Sequence, residues 1–353
     1  MVNMAIDWNE IPENRGKPDF NNLLAVLQRK EPSRPTLFEF FLNERLYSRL
    51  APGTDNPVND LESNRRVMTS FYRAGYDYVN LTVPGFSFLN GVVNHRKERS
   101  VSQNEGSVLH TRADFNAFTW PDPDQANYGM LDDLAKEMPE GMKLIVYGPD
   151  GVLENATELV GYEALCMMIL DDEKLAKDVF AEVGSRLVRY YEIAVKNPAV
   201  GACISNDDWG FKTQTQFSPK DMRRFVFPWH KRIVATIHKA GKPVILHSCG
   251  HFQRIIEDVI EDMGYDGRHS YEDAIMPVEQ FYETYHDRIA VMGGIDLDYV
   301  CRASPEEVYT RSKTMLERAA GRGSFALGTG NSVPDYVPDD HYFAMIRAAL
   351  ETR

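Results

Sequence analysis

In the stretch Val244-Ile245-Leu246-His247-Ser248-Cys249-Gly250, a β-branched apolar run ends in an imidazole and a thiol two residues apart. Residues at that spacing on an extended strand point to the same side, so His247 and Cys249 can meet. Two chemistries fit the pair. Imidazole nitrogen and thiolate together suit a soft or borderline cation such as zinc. Alternatively, Cys249 is a nucleophile with His247 or His269 as its base. A catalytic zinc takes three protein ligands and leaves one position open, so the metal reading needs a further donor from another strand end. Glu272, Asp296, Asp208 and Glu39 are the candidates, and Cys301, several residues beyond its strand, is expected not to reach.

Other apolar runs also end in reactive side chains. Gly201-Ala202-Cys203-Ile204-Ser205 leads into Asn206-Asp207-Asp208-Trp209-Gly210, and further run ends deliver Glu39, Asn80, Tyr147, His269, Glu272, Asp296 and Asn331. Asp207, Asp208, Tyr147 and Glu272 are the candidate catalytic groups. The first three are candidate proton donors. Glu39, Asn80, Asn206, Asp296 and Asn331 are the candidate substrate-binding groups. Solvation or helix capping accounts for any single polar residue at a strand end. Two imidazoles, a thiol and several carboxylates together exceed that need, and carboxylates crowded in a cleft acquire shifted pKa values.

The elements that must position these residues alternate along the chain. Strand-like runs are read at Pro35–Phe40, Tyr76–Leu81, Lys143–Pro149, Gly201–Ser205, Val244–Gly250, Asp266–Ser270, Ile289–Asp296 and Ser324–Gly328, separated by helical periodicities. A helix over Asp60–Ala74 ends at Gly75. Another starts at Ser218-Pro219, an N-cap followed by proline, and stops at Gly241. Further helices are expected over Ala156–Leu170 and Asp172–Lys196. Eight strands alternating with helices predict an α/β fold, a (β/α)8 barrel whose site lies at the C-terminal ends of the strands. A doubly wound sheet would want a phosphate-binding glycine loop after the first strand, and none follows Phe40. The expected organisation is an N-terminal segment and helix over residues 1–34, then a barrel over 35–353 with a long insertion at 82–142 that lies over the mouth.

A net charge of −13 spread along 353 residues argues against sequence-independent binding to nucleic acid or to an anionic membrane surface. No leader-like segment opens the chain and no run is long enough to span a bilayer, so a cytoplasmic location is expected. Four scattered cysteines are too few for a disulfide framework, and Cys166 and Cys203 are expected to be buried as small hydrophobes.

The chain resembles the uroporphyrinogen decarboxylase superfamily, which also contains zinc-dependent methyltransferases that move methyl groups from corrinoid proteins to thiols. The resemblance rests on Trp120-Pro121-Asp122-Pro123, Gly148-Pro149, Asn206 to Gly210, Ser218-Pro219, His247 to Gly250, Gly294-Ile295-Asp296, Ser304-Pro305-Glu306-Glu307-Val308 and Gly330 to Pro338. It implies a (β/α)8 barrel and metal ligation by His247 and Cys249. True decarboxylases carry an Arg-Gln-Ala-Gly-Arg signature after the first strand. Here that region reads Phe40-Phe41-Leu42-Asn43-Glu44-Arg45, which argues against porphyrinogen decarboxylation. The methyltransferases take a third cysteine ligand from the loop after the eighth strand, where this chain has Gly330 and Asn331. A carboxylate then completes the site, or the site has changed chemistry. The expectation is a methyltransferase that uses bound zinc to activate a thiol acceptor and receives the methyl group from a corrinoid on a partner protein. The alternative is a metal-independent lyase or decarboxylase acting on a smaller acid, and a third reading is a non-enzymatic corrinoid or tetrapyrrole binder. A homodimer is compatible with each.

Overall fold

The computed structural model describes residues 6–14, 16–88, 104 and 106–353. Strands β1 (Tyr78–Thr82), β2 (Lys143–Tyr147), β3 (Val200–Asn206), β4 (Val244–His247), β5 (Gly267–His269), β6 (Ala290–Met292) and β7 (Phe325–Ala326) are ordered in one sheet as they are in sequence. The pairs β3–β4, β5–β6 and β6–β7 are parallel. Parallel neighbours need crossover connections, and helices such as Phe227–Lys239 and Pro305–Ala319 supply them. The fold is of the α/β barrel type.

The first expected strand, Pro35–Phe40, is not a regular strand. Leu37 forms a single parallel bridge with Leu327. Phe38 N–H donates to the Leu327 carbonyl at 2.8 Å, and Leu327 N–H donates to Thr36 at 2.8 Å. On its other side, side chains stand in for a ladder. The Tyr78 hydroxyl accepts from Glu39 N–H at 2.7 Å, and the Asn80 amide donates to the carbonyls of Glu39 and Phe40 at 2.9 and 2.7 Å. The segment therefore occupies the eighth position without a run of backbone pairing.

By compactness the chain forms two units, Met1–Leu81 with Leu131–Ile145 and Asp266–Arg353, and Thr82–Met130 with Val146–Tyr265. The first unit contains β5, β6, β7 and the Leu37 segment, and its helix Asp60–Ala74 closes on Gly75 at φ 91° as expected. The expected insertion at 82–142 is divided between the units. Its described part forms a helix at Arg112–Ala117, a 3-10 turn at Pro123–Gln125 and a helix at Gly129–Glu137. Residues 89–103 and 105, which include Gly91, lie outside the described residues, as do residues 1–5 and 15 of the N-terminal segment. Among the described residues no helix is long and apolar enough to cross a membrane.

The second unit contains β3 and β4. The helix expected from Ser218 to Ala240 begins as predicted, with the Ser218 hydroxyl accepting from Asp221 N–H at 3.2 Å, but a π turn at Met222–Val226 interrupts it before Phe227–Lys239. Pro228 is the physical reason, because it has no N–H to donate to the preceding turn. The helix expected over Ala156–Leu170 is two helices, Val152–Val160 and Tyr162–Asp171, meeting at Gly161. Cys203 is buried, and burial pushes its thiol up to about 12. Cys166 is a correction: it is half-buried, because Tyr162–Asp171 packs only through Leu165, Met168 and Ile169.

The loops that follow β3 and β4 cross backbone to backbone at Gly210 and Gly250. A Cβ on Gly250 would sit 2.3 Å from the Gly210 carbonyl carbon, and Gly250 has φ 98°. Both the contact and the dihedral exclude a side chain. Gly250→Ala should destabilise the protein by roughly 3 kcal/mol, read as a lower denaturant midpoint at unchanged m-value. An unchanged midpoint would refute the crossing.

Candidate functional site

The register of β3 and β4 sets the site in the second unit. Asn206 is paired with His247, and Asp207 N–H donates to the His247 carbonyl at 3.0 Å. The chain then turns so that Asp208 meets the residues after β4. Among the described residues, Asp208, His247 and Cys249 form the group of side chains that could hold an ion, with one ligand atom from each lying within 4.8 Å of the others. A tetrahedral ion with bonds of about 2.0–2.3 Å places its donors about 3.3–3.8 Å apart, so a small contraction would bring all three onto it.

Hydrogen bonds join the segment after β3 to the segment after β4. Cys249 N–H donates to Asp208 Oδ1 at 3.0 Å. Trp209 N–H donates to the Ser248 hydroxyl at 3.1 Å, and the Gln216 amide donates to the Asp208 carbonyl at 2.8 Å. His247 is buried, while Asp208 and Cys249 are half-buried. Of the carboxylates considered as a third donor, Asp208 is the one in this group. Cys301 is not in it and lies in the helix Leu297–Arg302.

Asp207 points the other way, into the interior, and has no exposed surface. Its carboxylate accepts from the backbone N–H groups of Leu153 and Glu154 at 2.9 Å each, from the Trp209 indole at 2.8 Å and from His230 Nε2 at 2.8 Å. The first two donors open the helix Val152–Val160. Gly151 allows the approach, since a Cβ there would lie 2.2 Å from Asp207 Cβ. Glu154 accepts from Gly151 N–H at 3.0 Å, and burial followed by the nearby Asp207, Asp208 and Asp150 raises its carboxyl well above the usual range. Reading the sequence missed both Glu154 and His230. The available signal for His230 was a polar residue on the apolar stripe of Phe227, Ile233, Val234 and Ile237. Tyr147, in the same unit, is half-buried, and its carbonyl accepts from Tyr190. Asn206 Oδ1 is buried with no hydrogen-bond partner among the described residues.

In the first unit Glu39 is completely buried. Thr329 N–H donates to Oε1 at 2.6 Å, and Oε2 lies 2.9 Å from the Thr329 hydroxyl, which is itself 2.8 Å from the Asn331 carbonyl. That hydroxyl has a single proton, and a carbonyl can only accept. All three oxygens are satisfied if Thr329 donates to Asn331 and Glu39 donates to Thr329, which requires a protonated carboxyl. Electrostatics agree: burial, opposed by the Thr329 bonds, pushes Glu39 up to about 8. The side chain of Asn331 accepts from Ser332 N–H at 2.8 Å. Asn80, which braces the Glu39 segment, has a buried Oδ1 without a partner among the described residues.

The remaining candidates of this unit have more local surroundings. Asp296 accepts from the N–H groups of Tyr299 and Asp273 at 2.8 Å each, capping the helix Leu297–Arg302. Glu272 is half-buried, and its carbonyl accepts from Ile275 and Met276. His269 is fully buried, packed edge-on to Phe38 with ring centroids 5.0 Å apart.

Comparison with known proteins extends this picture. Residues 97–352 match the family model described as uroporphyrinogen decarboxylase (URO-D). A uroporphyrinogen decarboxylase of Myxococcus xanthus is 28% identical over 184 residues, covering 50% of this chain and 48% of that protein, so the chain spans about half of that relative. Another, from Anaeromyxobacter dehalogenans, is 24% identical over 254 residues and 69% of each chain. Among solved structures, a methyltransferase from Methanosarcina mazei superposes with TM-score 0.71 at 14% identity, covering 94% of this chain and 97% of its own. A putative vitamin-B12-independent methionine synthase from Listeria monocytogenes gives TM-score 0.52 at 12% identity, over 90% and 97%. At such identities these structures establish the barrel fold.

The buried carboxyl of Glu39 has a measurable consequence. Its pKa is about 8 in the folded protein against 4.5 for an ordinary glutamate. Between those values the folded chain keeps a proton that the unfolded chain has lost, so stability falls as pH rises, by up to about 1.4 kcal/mol per pH unit. Glu39→Gln is neutral throughout and removes that slope. From pH 5.5 to 7.5 the unfolding free energy of E39Q should gain roughly 2 kcal/mol relative to wild type in denaturant titrations. Parallel pH profiles would contradict a protonated Glu39.

Proposed function

The chain belongs to the uroporphyrinogen decarboxylase family, and we propose that within it this protein is a cytoplasmic methyltransferase that moves a methyl group from a corrinoid on a partner protein to a small-molecule thiol. The observation that carries this reading is the convergence of Asp208, His247 and Cys249. One nitrogen, one sulfur and one oxygen make a donor set suited to zinc, and two of the three donors are anionic, which offsets the charge of a dication. The ion would supply Lewis acidity, which lowers the pKa of a thiol placed on it.

The residues of the chain do the rest. Asp208 is oriented by the Cys249 N–H, and His247 is fixed as the last residue of β4, so two ligands come from rigid positions. Cys249 would hold the ion as a thiolate, its proton passing to solvent. Asn206, on the strand position beside His247, offers an acceptor to a donor group of the incoming substrate.

The second reading is a metal-independent lyase or decarboxylase acting on a smaller carboxylic acid. It is favoured by the decarboxylase relatives in sequence. Of its proposed proton donors, Asp207 has every carboxylate contact taken by an N–H group, which leaves Asp208 and Tyr147.

Metal analysis separates the two. Protein purified without chelator should contain about one equivalent of zinc, and Cys249→Ala and Asp208→Ala should each lower zinc affinity at least about 100-fold in competition with a chromophoric chelator. Absence of metal, or binding unchanged in C249A, would remove the methyltransferase reading. Turnover of an acid that survives C249A and is lost in D208A would establish the second.

A further inference from the structure

We propose that the buried His230–Asp207 pair is a positioning device for Asp208, an inference that rests on reading Asp208, His247 and Cys249 as metal ligands. Asp207 and Asp208 are consecutive at the end of β3, one carboxylate anchored in the interior and the other in the ligand group. Holding the first at several points orients the peptide that carries the second. Three of the four N–H partners of Asp207 belong to its own loop or to the start of the helix Val152–Val160. The fourth, His230, comes from the helix Phe227–Lys239, and its Nε2 lies 2.8 Å from Asp207 Oδ2.

His230 is itself held from every side. A carboxylate accepts, so Nε2 bears the proton and Nδ1 faces the hydroxyls of Tyr265 at 2.8 Å and Ser205 at 3.1 Å. The Tyr265 and Ser205 oxygens are themselves 3.1 Å apart, so one of the two hydroxyls donates to Nδ1 and the other to its neighbour. The Trp209 ring stands edge-on to the imidazole with centroids 4.8 Å apart, and none of His230, Asp207 or Trp209 has exposed surface. An imidazole–carboxylate pair taken out of water repays little in stability, because desolvation of the carboxylate offsets the attraction. What such a pair does supply is a fixed direction, and the group it directs is bonded to a ligand. Ser205 closes the circuit, since it lies in β3 two residues before Asp207.

Zinc and cobalt(II) titrations of the full chain, with a chromophoric chelator as competitor, test this. His230→Leu removes the donor and should weaken zinc binding about 10- to 100-fold and alter the visible bands of the cobalt form. His230→Gln keeps an N–H at nearly the same reach and should stay within about threefold of wild type, with wild-type bands. Wild-type affinity and bands in H230L, with only a lower melting temperature, would overturn the inference, and so would equal losses in H230L and H230Q. Should H230L not fold, Tyr265→Phe frees the far side of the ring and is expected to weaken binding severalfold. Unchanged binding there would overturn the inference as well. Failure of the wild type to bind either metal would instead strike the ligand reading itself.

Discussion

A carboxylate with no exposed surface must be surrounded by donors, and the second unit is built around the way Asp207 obtains them. Leaving such a group short of partners costs several kcal/mol, more than most single contacts return. The requirement reaches far along the chain. It fixes where the helix Val152–Val160 starts, because the first N–H groups of a helix have no partner within it. It calls for a glycine at position 151, where any side chain would overlap Asp207. It places an indole beside the carboxylate and brings His230 in from another helix. With those partners in place, the peptide after β3 has little freedom, and Asp208 is presented close to His247 and Cys249.

Glu39 shows the other solution open to a buried acid. Among the described residues its carboxyl meets Thr329, which offers one N–H and one hydroxyl, against the four N–H groups around Asp207. Burial then prevails over hydrogen bonding, and the group keeps its proton. The neutral form is useful as a strut, because it donates as well as accepts and ties the Leu37 segment to the loop that contains Asn331. The same functional group thus serves as a saturated anion in one unit and as a hydrogen-bond donor in the other, and the difference lies in the count of N–H groups nearby.

Much of this was legible in the sequence. Apolar runs ending in polar residues located β3 and β4, and capping signals such as Ser218-Pro219 set helix starts that hold in the structure. The His247–Cys249 pair could be named from residue type and spacing, with Asp208 as one of four carboxylate candidates to join it. Three things could not. Two adjacent aspartates at a strand end are equivalent on paper, and only packing decides that Asp207 turns inward while Asp208 turns toward the ligand pair. His230 looked like an ordinary member of an amphipathic helix, because its partners Asp207, Tyr265 and Ser205 are 23 to 35 residues away. The weakness of the first strand was hidden because its pairing on one side is made by the side chains of Tyr78 and Asn80, which no backbone pattern reveals.

The identity of the third donor bears on what the site can do. A thiolate is soft and gives much of its charge to a metal, whereas a carboxylate is harder and gives less. As a ligand of the proposed ion Asp208 would give less still, because one of its oxygens already accepts from the Cys249 N–H. An ion held by one thiolate, one imidazole and such a carboxylate keeps more positive charge than one held by two thiolates, and a thiol on it is correspondingly more acidic. Acidity and nucleophilicity oppose each other, since sulfur that loses its proton more readily attacks less strongly. Under the proposed zinc reading, the Asp208 site would therefore favour generating a thiolate from a weakly acidic thiol over making that thiolate as reactive as it can be. For the proposed ion at His247 and Cys249, a chain with Gly330 and Asn331 after its last strand would draw its third donor from elsewhere, and the Asp207 network would hold Asp208 in place for the purpose.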